Sequence, residues 1–150
     1  VNPPLRTPED VKAVKQGLKD GTIDCIVTDH APHTREDKEK SVDRAPFGMI
    51  GLETSVSLTI SELVKPGVLS WEQMVDKMST AQAKILGLEK KGVIAEGMDA
   101  DITIVDPDKK WVFTEEEIAS KSKNSPFIGR EMEGRVVATI FGGKVVYQDK

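Results

Sequence analysis

Histidine and cysteine are scarce in this sequence, and long apolar runs are lacking. The 150 residues contain two histidines and a single cysteine, Cys25. One cysteine excludes an internal disulfide and is typical of a reducing compartment, so we expect a cytoplasmic protein. The apolar runs are far shorter than the roughly 18 residues that cross a bilayer, and we find no secretory signal. These absences argue against a membrane protein and against a disulfide framework.

The sequence also has no excess of charge of one sign. Lys and Arg number 21, Asp and Glu number 25, and the net charge is −4. No basic stripe indicates nucleic acid binding, and no polybasic run indicates a membrane surface. With 38% apolar and 31% charged residues, the composition is that of an ordinary globular protein. The chain opens Val1-Asn2-Pro3-Pro4 without a start methionine, so we expect that it begins inside a fold.

Helical signals dominate the first 90 residues. Thr7-Pro8-Glu9-Asp10 predicts the start of a helix that Gly21 ends. The segment 23–28 is short, apolar and β-branched, which predicts a strand buried on both faces, as in a parallel sheet.

The next part of the chain alternates between loop and helix signals. Residues 34–46 are highly charged and predict an exposed loop, after which 52–63 have helical periodicity. Capping-box patterns at Ser70 and Ser79 predict two further helices, of which the second ends at Gly87.

Strand signals dominate the last 60 residues. Residues 100–107 predict a strand that Pro107 ends. Residues 136–141 and 144–147, on either side of Gly142-Gly143, predict a β-hairpin. The segment 114–134 has no clear pattern. The overall expectation is an α/β part followed by a mainly β part.

Both histidines lie beside one aspartate, just after the predicted buried strand. Asp29 follows this strand, and His30 and His33 come within four residues of it. An acid in this place has to be solvated, paired or bound to metal, and Pro32 restricts the turn. Carboxylate and imidazole suit zinc and acid–base chemistry, but these three side chains are too few for a closed metal site. A turn-capping aspartate with surface histidines is the alternative.

Four stretches of the sequence resemble one enzyme family. They read VTDHAPH, NPPLR, APFGMIGLET and KGVIAEGMDADITIVDP. Together they resemble the bacterial class I dihydroorotases of the amidohydrolase superfamily, and the resemblance covers essentially the whole chain as the C-terminal part of such an enzyme. Dihydroorotases interconvert N-carbamoyl-L-aspartate and L-dihydroorotate in pyrimidine biosynthesis.

The resemblance implies roles for five residues. It implies that Asp29 is a zinc ligand and the catalytic acid–base, and that His33 binds the substrate carboxylate. It also implies substrate contacts for Asn2 and for the backbone of Phe47 and Gly48. For His30 we expect packing or a hydrogen bond to a neighbouring group.

The resemblance further implies a fold, a cofactor and partners. Residues 1–90 would be the C-terminal part of a metal-dependent hydrolase TIM (β/α)8 barrel, and 91–150 part of a composite small β-sandwich. The intact enzyme would hold two Zn2+ ions. The other metal ligands are absent from this chain, so we expect the chain alone to be inactive. The expected partner is the small-molecule substrate, with a homodimer or aspartate carbamoyltransferase as further candidates.

Two alternatives stay open at the level of sequence. The first is another cyclic amidohydrolase, a hydantoinase or allantoinase, against which His33 favours the dihydroorotase type. The second is a non-catalytic dihydroorotase-like scaffold for aspartate carbamoyltransferase, which would have no need of Asp29 and His33.

Overall fold

The computed structural model describes residues 1–149, which form a mixed α/β structure with helices first and strands last. In chain order the helices are α1 (Pro8–Asp20), α2 (Arg35–Lys38), α3 (Ser55–Thr59), α4 (Trp71–Val75) and α5 (Ala81–Ile85), and the strands are β1 (Ile102–Val112), β2 (Glu131–Phe141) and β3 (Lys144–Gln148). Wider π-helical turns, Ile60–Val64 and Asp76–Thr80, follow α3 and α4, and a 3-10 turn, Glu115–Glu117, follows β1. No helix within residues 1–149 is both long and apolar enough to cross a membrane.

Helix α1 forms as the sequence predicts, because residues at its N-terminus favour a helix start and a glycine at its C-terminus favours a helix end. The Thr7 side chain accepts from the backbone N–H of Asp10, and the Asp10 carboxylate accepts from the backbone N–H of Thr7 at 2.9 Å. This capping box satisfies donors that an uncapped helix leaves free. Gly21 ends the helix at φ 86°, a conformation that suits glycine.

The prediction of a buried strand at 23–28 is wrong for this chain. Within residues 1–149 the segment pairs with no other strand, and Val27 is 72% exposed. Its polar backbone groups bond to the α4–α5 region instead. The Ile26 N–H donates to the Lys77 carbonyl at 2.9 Å, and the Lys77 ammonium donates to the Ile23 carbonyl at 2.6 Å. A parallel strand needs neighbouring strands, and none lies beside this segment in the described chain.

The charged segment 34–46 is mostly loop, as predicted, but it contains the one-turn helix α2. The Thr34 hydroxyl caps this helix by accepting from the backbone N–H of Asp37 at 3.1 Å. The prediction missed the helix because four residues are too few to show a helical period.

One continuous helical run replaces the two helices predicted after Ser70. Ser70 and Gln73 form the predicted capping box. Helix α4 then continues through Asp76–Thr80 into α5 without a break, and it ends before Gly87 at φ 67°. Ser79 lies inside the π-helical turn Asp76–Thr80, and Thr80, just before α5, is itself helical and makes no side-chain cap bond. The prediction of a second helix start at Ser79 is therefore wrong.

The three strands form one antiparallel sheet in the order β1-β2-β3. The predicted hairpin is confirmed, with Gly142 and Gly143 at φ 55° and 77° in the two-residue turn. Pro107 does not end the first strand as predicted. It lies in an irregularity between Asp106 and Lys110, where β1 slips register against β2 and then continues.

The helical and strand parts pack against each other through two apolar clusters. Their buried members are Ile50, Phe113, Ile118 and Met132 in one cluster, and Ile60, Val64 and Met74 in the other. Val105 of β1 packs against the second cluster. Each cluster therefore joins residues from both sides of position 90. The domain boundary at 90 and the small β-sandwich stay predictions, since residues 1–149 contain a single three-stranded sheet.

Candidate active site

Asp29 begins the irregular segment 29–33, the turn of this site, directly after the segment 23–28. It has φ 43°, and within residues 1–149 it is the one non-glycine residue at positive φ. Side chains other than glycine rarely adopt this conformation, and residues held in it cluster at functional sites. Asp29 is exposed. Its carboxylate is thus accessible to a metal ion or to a proton donor.

His33, Phe47 and Gly48 are brought together by the turn and by the loop before α3. The His33 Nε2 atom lies 2.8 Å from the Phe47 carbonyl oxygen. A carbonyl can only accept, so the ring hydrogen lies on Nε2. Gly48 has φ 121°, and a Cβ atom there would stand 2.7 Å from the Cβ of Ala31 and 3.0 Å from His33 Nε2. Only glycine allows this close approach.

His30 ties the same turn to the start of the following helix. The backbone of His30 pairs with Met49 in an isolated parallel bridge. Its Nδ1 atom lies 3.1 Å from the backbone nitrogen of Gly51 and 3.4 Å from that of Leu52, and it accepts from both N–H groups. Of the two expectations for His30, the hydrogen bond is the one observed.

Asn2 is not hydrogen-bonded to this cluster within residues 1–149, and in particular not to His33, Phe47 or Gly48. The residue is exposed. The structure therefore joins three of the five predicted site residues directly and carries Asp29 on the same turn. The role of Asn2 stays a prediction.

Asn124 is a member of this cluster that no sequence pattern predicted. It comes from the connection between β1 and β2, where the 114–134 segment lacks periodicity. Its side chain reaches the backbones of Ala31, His33 and Gly48. The Ser125-Pro126 turn signal after it was the only local sign of a defined structure at this point.

A cavity of about 650 Å³ lies beside His33, with more basic than acidic groups in its wall. The charged residues of the wall are Arg35, Lys38, Lys121 and Lys123 against Glu39 and Glu115. The Lys38 ammonium donates to the carbonyls of Pro46 and Gly48, at 2.9 and 3.1 Å. This positive balance favours an anionic ligand near His33.

The nearby Asp37 carboxyl group stays ionised. Hydrogen bonds from Lys40 and from the Thr34 hydroxyl hold the pKa of Asp37 below its ordinary value. The Asp37 carboxylate pairs with the Lys40 ammonium at 2.6 Å and accepts from the Thr34 hydroxyl that caps α2.

The fit of these residues to a metal ion is partial. A carboxylate such as that of Asp29 is a suitable zinc ligand. Within residues 1–149, however, no group of three or more His, Cys, Asp or Glu side chains could hold a metal ion. A metal ion beside Asp29 would therefore need ligands beyond those that residues 1–149 bring together.

Comparison with known proteins gives one family along almost the whole chain. The amidohydrolase family profile matches residues 2–146. A dihydroorotase from Endomicrobium trichonymphae is 57% identical over 148 residues, which are 99% of this chain and 35% of that protein. A dihydroorotase from Clostridium acetobutylicum is 51% identical over 150 residues, which are 100% of this chain and 35% of that protein.

Solved structures of hydantoinases share the fold. An L-hydantoinase (dihydropyrimidinase) from Arthrobacter aurescens is 37% identical with a TM-score of 0.92, over 99% of this chain and 34% of that chain. A D-hydantoinase from Bacillus sp. AR9 is 35% identical with a TM-score of 0.91, and the match covers 99% of this chain and 34% of that chain. The chain thus spans about a third of the length of its relatives. The family and these structures imply a fragment of a TIM-barrel hydrolase.

Proposed function

This chain belongs to the amidohydrolase family, and on that premise we propose that it is the C-terminal part of a dihydroorotase. Identity of 51 to 57% to two dihydroorotases along the whole chain supports this choice over the hydantoinases, which are 35 to 37% identical. The observation that carries the proposal is the contact of His33 with the Phe47 carbonyl next to Gly48. This contact lies four positions after the exposed Asp29 in the sequence, and basic side chains line the cavity beside His33.

The proposed reaction is the reversible ring closure of N-carbamoyl-L-aspartate to L-dihydroorotate. In ring closure the terminal nitrogen of the carbamoyl group attacks the carbon of the side-chain carboxyl group. A C–N bond forms, and the carboxyl oxygen leaves as water. Asp29 takes the proton from the attacking nitrogen, and it returns a proton to the same nitrogen when the ring opens. His33 and the backbone of Phe47 and Gly48 bind the substrate. When substrate binds, the His33 Nε2–H donates to its free carboxylate in place of the Phe47 carbonyl. Asn2 is proposed as a further substrate contact.

Two zinc ions complete the proposed site in the whole enzyme. The family implies a metal cofactor, and Asp29 is the one ligand that we assign to this chain. Bound zinc would act as a Lewis acid toward the reacting carbonyl group. The remaining ligands would come from the part of the relatives' length that this chain does not span.

We expect the chain alone to bind zinc weakly. A single carboxylate ligand leaves most of the coordination sphere to water, since no three ligating side chains cluster within residues 1–149. Calorimetric titration of Zn2+ into the chain should show no site tighter than about 1 μM, which corresponds to roughly −8 kcal/mol. A nanomolar isotherm would contradict the assignment of Asp29 as a lone ligand.

A chimera tests the proposed activity. We would replace the matching third of the Clostridium acetobutylicum dihydroorotase with this chain, which aligns with it over all 150 residues. The chimera, loaded with zinc, should interconvert L-dihydroorotate and N-carbamoyl-L-aspartate at a rate within about tenfold of the parent enzyme. The unmodified parent is the control.

Other outcomes of the same assay favour the alternatives. A folded chimera that opens hydantoin but not L-dihydroorotate would support hydantoinase activity. A folded chimera that binds zinc but turns over neither ring would support a non-catalytic scaffold, and its association with aspartate carbamoyltransferase would then be measured. Sedimentation of the active chimera tests the proposed homodimer.

A further inference from the structure

Asn124 links the two loops of the candidate site from a distant part of the chain. Its Nδ2 atom donates to the Ala31 carbonyl at 2.9 Å and to the Gly48 carbonyl at 3.3 Å. Its Oδ1 atom accepts from the backbone N–H of His33 at 3.2 Å. The turn that carries His33 and the loop that carries Gly48 are thus both bonded to one side chain.

The arrangement requires a carboxamide. Asparagine offers two N–H donors and a carbonyl acceptor, and here both donors and the acceptor are engaged. Aspartate has nearly the same shape but offers no donor, and its charge would be repelled by the carbonyls of Ala31 and Gly48. Alanine would leave the His33 N–H and both carbonyls without these partners.

Asn124 is itself held in place by the core. Its backbone carbonyl accepts from the N–H of Ile50 at 3.1 Å, and Ile50 is buried against Phe113 and Ile118. The ammonium of Lys123 donates to the carbonyls of Glu115 and Ile118, at 3.2 and 2.8 Å. These bonds hold the residue before Asn124 against the start of the β1–β2 connection. The carboxamide therefore occupies a fixed position relative to both loops.

We propose that Asn124 is a positioning residue that fixes the turn carrying His33 against the loop of Phe47 and Gly48, so that the two together form one substrate-binding surface. The bond between His33 Nε2 and the Phe47 carbonyl depends on the spacing of these loops. The backbone bond from the Ala31 N–H to the Met49 carbonyl, at 3.0 Å, also joins the two loops, and Asn124 adds the side-chain bonds that hold Gly48 and the His33 N–H. The substrate-binding part of this inference rests on the proposed dihydroorotase function, while the loop geometry does not.

Histidine NMR of the chain tests the geometry directly, because the chain has only two histidines. Long-range 1H–15N correlation should show His33 as a single Nε2–H tautomer. Asn124→Ala and Asn124→Asp should both shift His33 to a mixture of tautomers, while His30 keeps its signals through its bonds to Gly51 and Leu52. If Asn124→Ala does not fold, the nearly isosteric Asp variant carries the test.

Ser125→Ala is the matched control. It removes a polar side chain from the next position, where within residues 1–149 the Ser125 hydroxyl accepts from the nearby Phe127 N–H at 3.3 Å and makes no bond to the candidate site. His33 should then keep its native tautomer. Unchanged His33 signals in both folded Asn124 variants would overturn the proposal.

Kinetics of the chimera test the consequence for binding. Asn124→Asp should raise KM for L-dihydroorotate about tenfold and change kcat less than about threefold, because Asp29 is not displaced. A role limited to stability would lower the active fraction with KM unchanged, and that result would overturn the proposal. If the unsubstituted chimera is inactive, the proposed function fails, whereas the NMR result still decides whether Asn124 positions His33.

Discussion

Asp29→Asn in the chimera should lower kcat for dihydroorotate opening and closing by at least about 100-fold. A positioned general acid–base group contributes typically 10² to 10⁴ in rate, and an amide can neither take up the proton nor ligate zinc as an anion. Asparagine tolerates the left-handed region about as well as aspartate, so the turn at φ 43° should survive the exchange. The loss of kcat would therefore result from the removal of the carboxylate and not from a change in the backbone.

Asp24→Asn is the matched control for this experiment. Asp24 is also exposed, lies five positions upstream and makes no ion pair within residues 1–149. The control should keep kcat within about twofold, with zinc content and thermal stability measured for both variants. An Asp29→Asn chimera that is folded, loaded with zinc and active within threefold of the unsubstituted chimera would remove Asp29 from the mechanism.

The candidate site was predictable where it is local in sequence. Asp29, His30 and His33 lie within five consecutive residues, and an acid directly after an apolar run is by itself a sign of a functional site. The family resemblance implied that His33, Phe47 and Gly48 all contact the substrate, but the bond between His33 and Phe47, which spans 14 residues, was not predicted. The contact of Asn124 with His33 spans 91 residues, from a segment without periodicity, and no single-sequence pattern predicts such a pair.

The fold shows the same division between local and distant signals. The caps at Thr7 and Ser70 predicted helices because a capping box is complete within four residues. The strand prediction at 23–28 failed because a strand depends on neighbours, and none pairs with this segment in the described chain. The cap prediction at Ser79 failed because Ser79 lies inside the π-helical turn Asp76–Thr80, where the helical run continues and leaves no helix start to cap.

Gly134→Ala should destabilise the chain more than alanine substitution of any glycine at which an added Cβ atom would contact nothing within 4 Å. Gly134 sits in β2 at φ 81°, and a Cβ atom there would overlap the Cδ1 atom of Ile60 and stand 3.1 Å from its Cγ2 atom. Ile60 is fully buried and cannot swing away. The Gly134 carbonyl accepts from Ser57 Oγ and from Trp111 Nε1, so the backbone cannot retreat without breaking both bonds. Overpacking costs about 1–3 kcal/mol and the left-handed backbone about 1–2 kcal/mol.

Gly129→Ala separates these two contributions. Gly129 has φ 84°, almost the angle of Gly134, but a Cβ atom there would meet nothing within 4 Å. Thermal unfolding followed by circular dichroism should therefore show about 1–2 kcal/mol of destabilisation for Gly129→Ala and about 2–5 kcal/mol for Gly134→Ala. In an Ile60→Val background, which lacks the Cδ1 atom, Gly134→Ala should cost less, because the two sites are coupled through one contact. Equal costs at both glycines, or no coupling to Ile60, would mean that β2 lies farther from the π-helical turn Ile60–Val64 than in the structure.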